Sequence, residues 1–359
     1  MQTTHRFYHA YSDCLFPLKQ EEEGVPSVYR QAENLGGTFT RITKGLPDNA
    51  VANFSPSIIQ HKDKTFIAWR SQPEPFGFRY DRNYFYLNNG NTDIYIGQLA
   101  DDETILGTKK LRSKPHRLSY EDPRLFVGPD DELYVQFVAS TYASRYNRGG
   151  KNLFDNPKVI VCYVDENGEA VSAAIPPIGE NRNKEKPEKN WCFFPYKDQL
   201  SCLYSTVPLV IESESLPRIE TDSEPLKQVS KGCPTFNSTA PIDLGYGHLV
   251  FYHWKHMTRS DSGQNYLIYH LGSYIASKDF KEILYVDENP LFTGSLNDKL
   301  IQWTDYAGNP LSTQPAVILP FGAYVEGTDL VMSLGVNDAF MGIFRTPLEN
   351  IMRRLKRVN

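Results

Sequence analysis

The sequence predicts an all-β protein, a five-bladed β-propeller with a short C-terminal helix. Three observations carry this: one hairpin pattern recurs five times, each copy is followed by a further strand-like run, and turn and aromatic residues are abundant. Its 359 residues include 22 Tyr, 20 Phe, 24 Gly and 24 Pro. Aromatic side chains favour strands, while Gly and Pro set the turns between them. A repeat spaced at roughly 45 to 80 residues is longer than a solenoid unit and approaches a propeller blade with insertions.

The hairpin is plainest from Ser119 to Phe126, where Glu121-Asp122-Pro123-Arg124 stands at the start of a strand. Proline is tolerated there because no ladder donor is lost. Leu125, Val127, Leu133, Val135, Phe137 and Ala139 alternate around a turn at Gly128-Pro129-Asp130-Asp131. Another copy runs from Ser55-Pro56-Ser57 through a turn at His61–Lys64 to Phe66–Trp69, ending at Arg70-Ser71. A third runs from Lys189-Asn190-Trp191 through Lys197-Asp198 to Leu203-Tyr204 and Ser205-Thr206. The fourth begins at Ser238-Thr239-Ala240-Pro241, turns at Gly245-Tyr246-Gly247 and returns through Leu249–Tyr252 to His253. The fifth begins at Gln314-Pro315, turns near Glu326–Asp329 and returns through Val331-Met332 to Gly335, Asn337 and Asp338. Ile94–Gly97, Val159–Tyr163 and Tyr266–His270 supply outer strands.

One domain over 1–359 is expected, with 1–50 closing the ring or covering its base. The end of the chain, 346–359, reads as a helix: Thr346 as N-cap, Pro347 at the first helical position, Glu349 completing a capping box, and Leu348, Ile351, Met352 and Leu355 on one face.

Net charge is −5 and 23% of residues are charged, with one short basic run at Arg353–Arg357, which argues against nucleic acid and anionic membrane as partners. The five cysteines are an odd number without a Cys-x-x-Cys pair, so neither a disulfide framework nor a zinc knuckle is indicated, and a cytoplasmic location is expected. The start, Met1 to Arg6, has no apolar leader, and no run is apolar and long enough to span a bilayer. A homo-oligomer is compatible with all of this. His253 and His256 have a spacing that invites a metal, but they fall at a strand end, and no metal is expected.

In an antiparallel hairpin, the start of the first strand and the end of the second lie at one end. The polar entries and exits therefore converge on one mouth, which gathers Ser55, Ser57, Arg70, Glu121, Asp122, Arg124, Lys189, Asn190, Ser205, Thr239, His253, Asn337 and Asp338. From the residues alone, Asp122 and Arg124 read as an ion pair between blades, and any one polar residue reads as a cap or turn of its own hairpin.

The ordered set resembles the inverting β-mannoside phosphorylases and related hydrolases, which are five-bladed propellers. Glu121-Asp122-Pro123-Arg124 is similar to that family's signature. So are Lys189-Asn190-Trp191 with Phe194-Pro195, Tyr252-His253, Tyr269–Gly272, Leu319–Ala323 and Ser333–Ala339. The resemblance implies a proton donor at Asp122, acting through a substrate hydroxyl. It places phosphate at Lys189, His253 and Tyr269, with Arg70 and Arg124 contributing, and sugar hydroxyls at Asn337 and Asp338. Ser55, Glu121 and Asn190 complete the expected substrate site. Inorganic phosphate is the implied co-substrate, a mannoside or related oligosaccharide the implied partner, and no cofactor is expected. The chain departs from the pattern at Ser55-Pro56, where the family has Asn-Pro, at Gly335–Asp338, and at His270, where arginine is frequent. An expected arginine is out of register, with Arg145 and Arg148 nearby. Hydrolysis, transfer from an activated sugar, and carbohydrate binding without turnover are the competing readings.

Overall fold

The computed structural model describes residues 15–17, 24–48, 50, 52–72, 92–111, 118–141, 158–165, 167–174, 178, 189–298 and 313–358. Two strands precede the repeats, β1 (Leu15–Pro17) and β2 (Thr38–Arg41), with helix α1 (Val28–Asn34) between them. One four-stranded sheet holds β3 (Ala52–His61), β4 (Lys64–Gln72), β5 (Asp93–Leu99) and β6 (Ile105–Lys110). The next holds β7 (Leu118–Val127), β8 (Leu133–Thr141), β9 (Lys158–Val164) and β10 (Ala170–Ala174). The third holds β11 (Cys192–Tyr196), β12 (Gln199–Ser205), β13 (Leu209–Ser213) and β14 (Ile219–Thr221), followed by helix α2 (Glu224–Val229).

A larger, nine-stranded sheet comes next. Its centre is the hairpin of β17 (Gly247–Arg259) and β18 (Asn265–Ser277), 13 residues each. β15 (Thr235–Asn237) and β16 (Ile242–Asp243) pair with β17, and β1 runs parallel along its far end. β19 (Ile283–Asp287), β20 (Phe292–Thr293) and β21 (Thr313–Ala316) pair with β18. The last four-stranded sheet holds β22 (Ile318–Glu326), β23 (Asp329–Val336) and β24 (Phe340–Pro347), with β2 as its outer strand.

The expectation of a five-bladed propeller is therefore corrected: the described residues form four four-stranded blades, and the fourth hairpin copy is built into the nine-stranded sheet. Its inner strand is interrupted at Ser238–Pro241, where the Ser238 and Thr239 N–H groups both donate to the Phe251 carbonyl. One acceptor for two donors breaks the ladder, and Pro241 brings no N–H to restore it. The long β17–β18 hairpin then recruits short segments from elsewhere in the chain along its exposed edges.

The sheets pack face to face around a ring. Ile96 and Phe66 meet Leu125 and Val135; Phe126 meets Phe193; Phe194 and Leu203 meet Val250 and Tyr274. Leu249 and Phe251 meet Leu330 and Met332, and Val331 and Ile343 meet Ile58 and Trp69. These side chains come from successive sheets, and the last pair returns to the first. β23 is buried at every residue after Asp329, as a strand covered on both faces must be.

The expected C-terminal helix over 346–359 is also corrected. Helix α3 (Leu348–Met352) has five residues, Pro347 is its N-cap and no side chain caps it. Thr346 lies within β24 instead, its hydroxyl donating to the Leu35 carbonyl at 3.0 Å. Beyond the helix, β25 (Leu355–Arg357) joins β19, and Arg354 pairs with buried Asp287 at 2.7 Å. Sheet pairing and a buried carboxylate outweigh another turn of helix. Among the described residues, no helix is long and apolar enough to cross a membrane, and Cys162, Cys192, Cys202 and Cys233 are buried and form no disulfide with one another.

Candidate active site

Two inner strands carry the same bulge at the mouth. In β3, Phe54 faces Arg70 and Ser57 faces Ala68, so Ser55 and Pro56 together oppose one residue. In β7, Glu121 faces Val138 and Arg124 faces Gln136, so Asp122 and Pro123 do the same. Ser55 and Asp122 take φ values of 51° and 52°, and Asn190, ahead of β11, takes 62°. Left-handed backbone costs an L-residue about 1–2 kcal/mol. Such bulges recur beside active sites, where they re-aim a side chain.

The bulge presents the Asp122 carboxylate to Arg70 of β4, at 3.2 Å. Arg70 is almost fully buried, lies over the Phe54 ring at 4.7 Å, and donates through Nε to Thr92 Oγ1 at 3.4 Å. Its Nη2 has no hydrogen-bond partner among the described residues. Burial pushes the Asp122 carboxyl up, but the Arg70 guanidinium, followed by Lys189 and Arg124, overcomes burial and holds it below the usual carboxylate range. Beside it, Lys189 Nζ pairs with buried Glu121 at 2.7 Å.

The anticipated Asp122–Arg124 ion pair is corrected: Arg124 reaches the Asp122 carbonyl, at 3.4 Å, and the carboxylate pairs with Arg70. The rest of the Arg124 fork goes to the Ser238 carbonyl at 3.2 Å, Asn190 Oδ1 at 3.3 Å and the Asn237 carbonyl at 3.4 Å, and it stacks on Phe321 at 4.6 Å. A rigid guanidinium with all its nitrogens engaged is a bracket between sheets. Asn190 is drawn into the same bracket, since its carbonyl accepts from Asn237 Nδ2 at 3.1 Å.

β17 and β18 form the opposite wall. His253 Nδ1 lies 2.8 Å from Ser238 Oγ. Burial, reinforced by Lys255 and Arg124, holds the imidazole well below its ordinary pKa, so it is neutral at physiological pH. It acts at the mouth as a hydrogen-bonding group without charge. Tyr269 stacks near it, ring centroids 6.1 Å apart. His256 points to the other face of β17, where its Nδ1 is 2.9 Å from His270 Nε2, so His253 and His256 cannot share a metal.

Asp338, with φ 50° at the end of β23, brings a second partly buried carboxyl. Burial pushes it up to about 6; Arg70 opposes this, Asp122 adds to it, and Lys255 and Lys189 oppose it. Its neighbour Asn337 commits its carboxamide to backbone, accepting from the Val317 N–H at 2.8 Å and donating to the Ser295 carbonyl at 3.5 Å. Ser55 is buried at its bulge.

The mouth thus assembles Arg70, Asp122, Glu121, Lys189, His253, Tyr269 and Asp338, while Arg124, Asn190 and Asn337 brace it. Two residues, Lys255 and Gln72, escaped the sequence reading. Lys255 shares a strand face with His253, and their i, i+2 spacing was the available signal. Both polar atoms of Gln72 are fully buried without a partner among the described residues, and no local pattern marks them; Thr239, expected at the mouth, likewise has a buried Oγ1 without a partner among the described residues. Arg145, Arg148 and the aromatic-rich stretches at 76–80, 83–86 and 142–146 lie outside the described residues.

No protein-family model and no curated protein sequence matches the chain. Solved structures do. A β-1,2-mannobiose phosphorylase from Listeria innocua, in complex with β-1,2-mannobiose, has a TM-score of 0.53 at 14% identity, covering 88% of this chain and 96% of its own. A mannose phosphorylase from Leishmania mexicana, in complex with phosphate ion, has a TM-score of 0.52 at 10% identity, covering 92% and 95%. A GDP-Man-dependent mannosyltransferase from the same organism has a TM-score of 0.54 at 11% identity, covering 89% and 94%. The chain has the propeller fold of the mannoside phosphorylases and of the hydrolases and transferase that share it.

Proposed function

We propose that the chain cleaves or forms a β-mannosidic bond by single displacement with inversion, using inorganic phosphate and giving mannose 1-phosphate. The observation that carries this reading is the Asp122–Arg70 pair at 3.2 Å in a mouth where, among the described residues, Lys189 and Lys255 add further positive charge beside Glu121, Asp122 and Asp338. A phosphate oxygen attacks the anomeric carbon as the glycosidic C–O bond breaks on the opposite face. Phosphate brings its own charge, so no second carboxylate is needed to activate water.

The leaving oxygen takes a proton from Asp122 through a substrate hydroxyl, and the carboxylate left behind is stabilised by Arg70. In the free site Asp122 is ionised. A phosphate dianion next to Arg70 and Lys189 counters their field and raises its proton affinity when the site is filled. Lys189, neutral His253 and Tyr269 hold phosphate, and Arg70 has an Nη2 donor left for an oxygen. Asp338, Ser55 and Glu121 read the sugar, with Asn190, Arg124 and Asn337 fixing the frame. Four buried cysteines that form no disulfide with one another support a reducing, cytoplasmic setting.

One observation favours a second reading. The GDP-Man-dependent mannosyltransferase shares the fold, and a sugar diphosphate would also suit a basic mouth. The test is release of mannose 1-phosphate from a panel of β-mannosides with inorganic phosphate, with Asp122→Asn as control. Product that disappears in the variant is expected. Free mannose would mean hydrolysis, and no product would shift the reading to transfer, tested next with GDP-mannose.

A further inference from the structure

The interrupted inner strand at Ser238–Pro241 places a serine to which the motif resemblance gives no role. Ser238 is fully buried, and its backbone is held on both sides: its N–H donates to the Phe251 carbonyl at 3.1 Å and its carbonyl accepts from Arg124 Nε at 3.2 Å. That leaves Oγ aimed at His253 Nδ1, 2.8 Å away. The imidazole is held as well. β15 and β18 flank β17, and Phe236 from one and Tyr269 from the other stack on the ring, with interplanar angles of 25° and 19°. His253 is almost fully buried, and its Nε2, across the ring from Ser238, has no hydrogen bond to the described residues.

The protons of this pair select one tautomer. A neutral imidazole carries a proton on one nitrogen and a lone pair on the other, and a hydroxyl has one proton to give. Were the imidazole proton on Nδ1, it would donate to Ser238 Oγ and strand the hydroxyl proton. Ser238 is sealed from solvent, and Oγ has no other hydrogen-bond partner among the described residues. With the proton on Nε2, the hydroxyl donates to Nδ1 and the penalty of an unpaired buried donor is avoided. Burial, with Lys255 and Arg124 adding to it, keeps the ring from taking a second proton. We infer that Ser238 is a positioning residue that fixes His253 as the Nε2–H tautomer, so that His253 meets a bound phosphoryl oxygen as a neutral donor. The opposite tautomer would turn a lone pair toward the anion. The inference deepens the phosphate-using reading of the same mouth and rests on it. Arg124 also gains reach, because the guanidinium that holds the Ser238 carbonyl thereby holds the serine that orients the histidine.

The experiment is nitrogen NMR at pH 7 of the full chain with isotope-labelled histidine rings, followed by calorimetric titration with inorganic phosphate. The His253 signals are identified by their absence from His253→Gln. The native ring should show a protonated Nε2 and a bare Nδ1, whose resonances lie far apart. Ser238→Ala should scramble this pattern and weaken phosphate binding about tenfold, near the lower end of what a hydrogen bond to a charged group contributes. Ser238→Thr keeps the hydroxyl and should restore both. A native ring protonated on Nδ1, a Ser238→Ala protein with either the native tautomer or the native affinity, a Ser238→Thr protein no better than Ser238→Ala, or a native protein that binds no phosphate would overturn the inference. Should Ser238→Ala fail to fold, the native spectrum and the threonine variant decide it.

Mannose 1-phosphate release separates the two readings. An Nε2–H tautomer and phosphate binding that both depend on Ser238, without glycosidic turnover, sink the proposed activity and leave this inference standing. Turnover by a protein whose His253 carries its proton on Nδ1 does the reverse.

Discussion

The bulge in β3 and the bulge in β7 are one backbone device carrying different chemistry. Ser55-Pro56-Ser57-Ile58 and Asp122-Pro123-Arg124-Leu125 align residue for residue, each with a left-handed residue before proline. Ser57 and Arg124 occupy the same place, and both are buried brackets between sheets. Ser57 Oγ donates to the Phe321 carbonyl at 3.1 Å and accepts from the Leu125 N–H at 2.8 Å. Arg124 spans to Ser238, Asn237 and Asn190. The difference follows from the gap each must bridge. Gly322 and Gly335 bring the last blade so close to β3 that an added Cβ would lie 2.3 Å from Ile58 N and 2.9 Å from Ser55 N. A hydroxyl suffices there, whereas a guanidinium is needed beside the interrupted strand at Ser238. The repeat supplies the bend, and the neighbouring sheet decides what the side chain does with it.

The comparison can be broken most severely at the left-handed positions. Asp122→Asn should lower turnover about 10²- to 10⁴-fold, the range for loss of a general acid, while Ser55→Ala should cost far less. Equal losses in the same product assay would mean that the two bulges are not chemically distinct. Arg124→Met comes next, leaving the Ser238 and Asn237 carbonyls and the Asn190 side chain without their donor. At about 1–3 kcal/mol for each unsatisfied buried group, a loss of at least about 3 kcal/mol is expected in urea unfolding. An effect near zero would show that the bracket is idle.

Ser57→Ala should cost about 1–2 kcal/mol, because it strands one N–H and removes one donor; a cost as large as that of Arg124→Met would erase the contrast between narrow and wide gap. The last expected effect, a dependence on pH, is at Asp338. Its carboxyl is raised from 3.8 to about 6, so the folded state binds the proton more tightly than the unfolded chain between those values. Stability should therefore fall as pH rises from 4 to 6, with the penalty persisting above 6. Asp338→Asn should flatten that slope in thermal melts at pH 4.5, 5.5 and 7, and an unchanged slope would remove Asp338 from the electrostatic network.

The amino-acid sequence by itself determined the hairpins and which of their polar ends lie at one end of the fold. Period-two alternation and turn residues act within a few positions, so β3–β4, β7–β8, β11–β12 and β22–β23 were legible, and antiparallel geometry alone brought Arg70, Asp122, Lys189, His253 and Asp338 to one end. Tertiary structure decided the rest, because the forces concerned act between residues far apart in the chain. β1 and β21 lie on β17 and β18 from opposite ends of the sequence, and the C-terminal helix gives way to a strand because β19 offers it an edge. Asp122 takes Arg70 as its partner and leaves Arg124 to the backbone of another sheet, and Lys255 gains its fixed position from rings on two other strands. Charge state likewise belongs to the folded mouth, since burial and the neighbouring cations, which hold Asp122 ionised and His253 neutral, exist only once the sheets have closed.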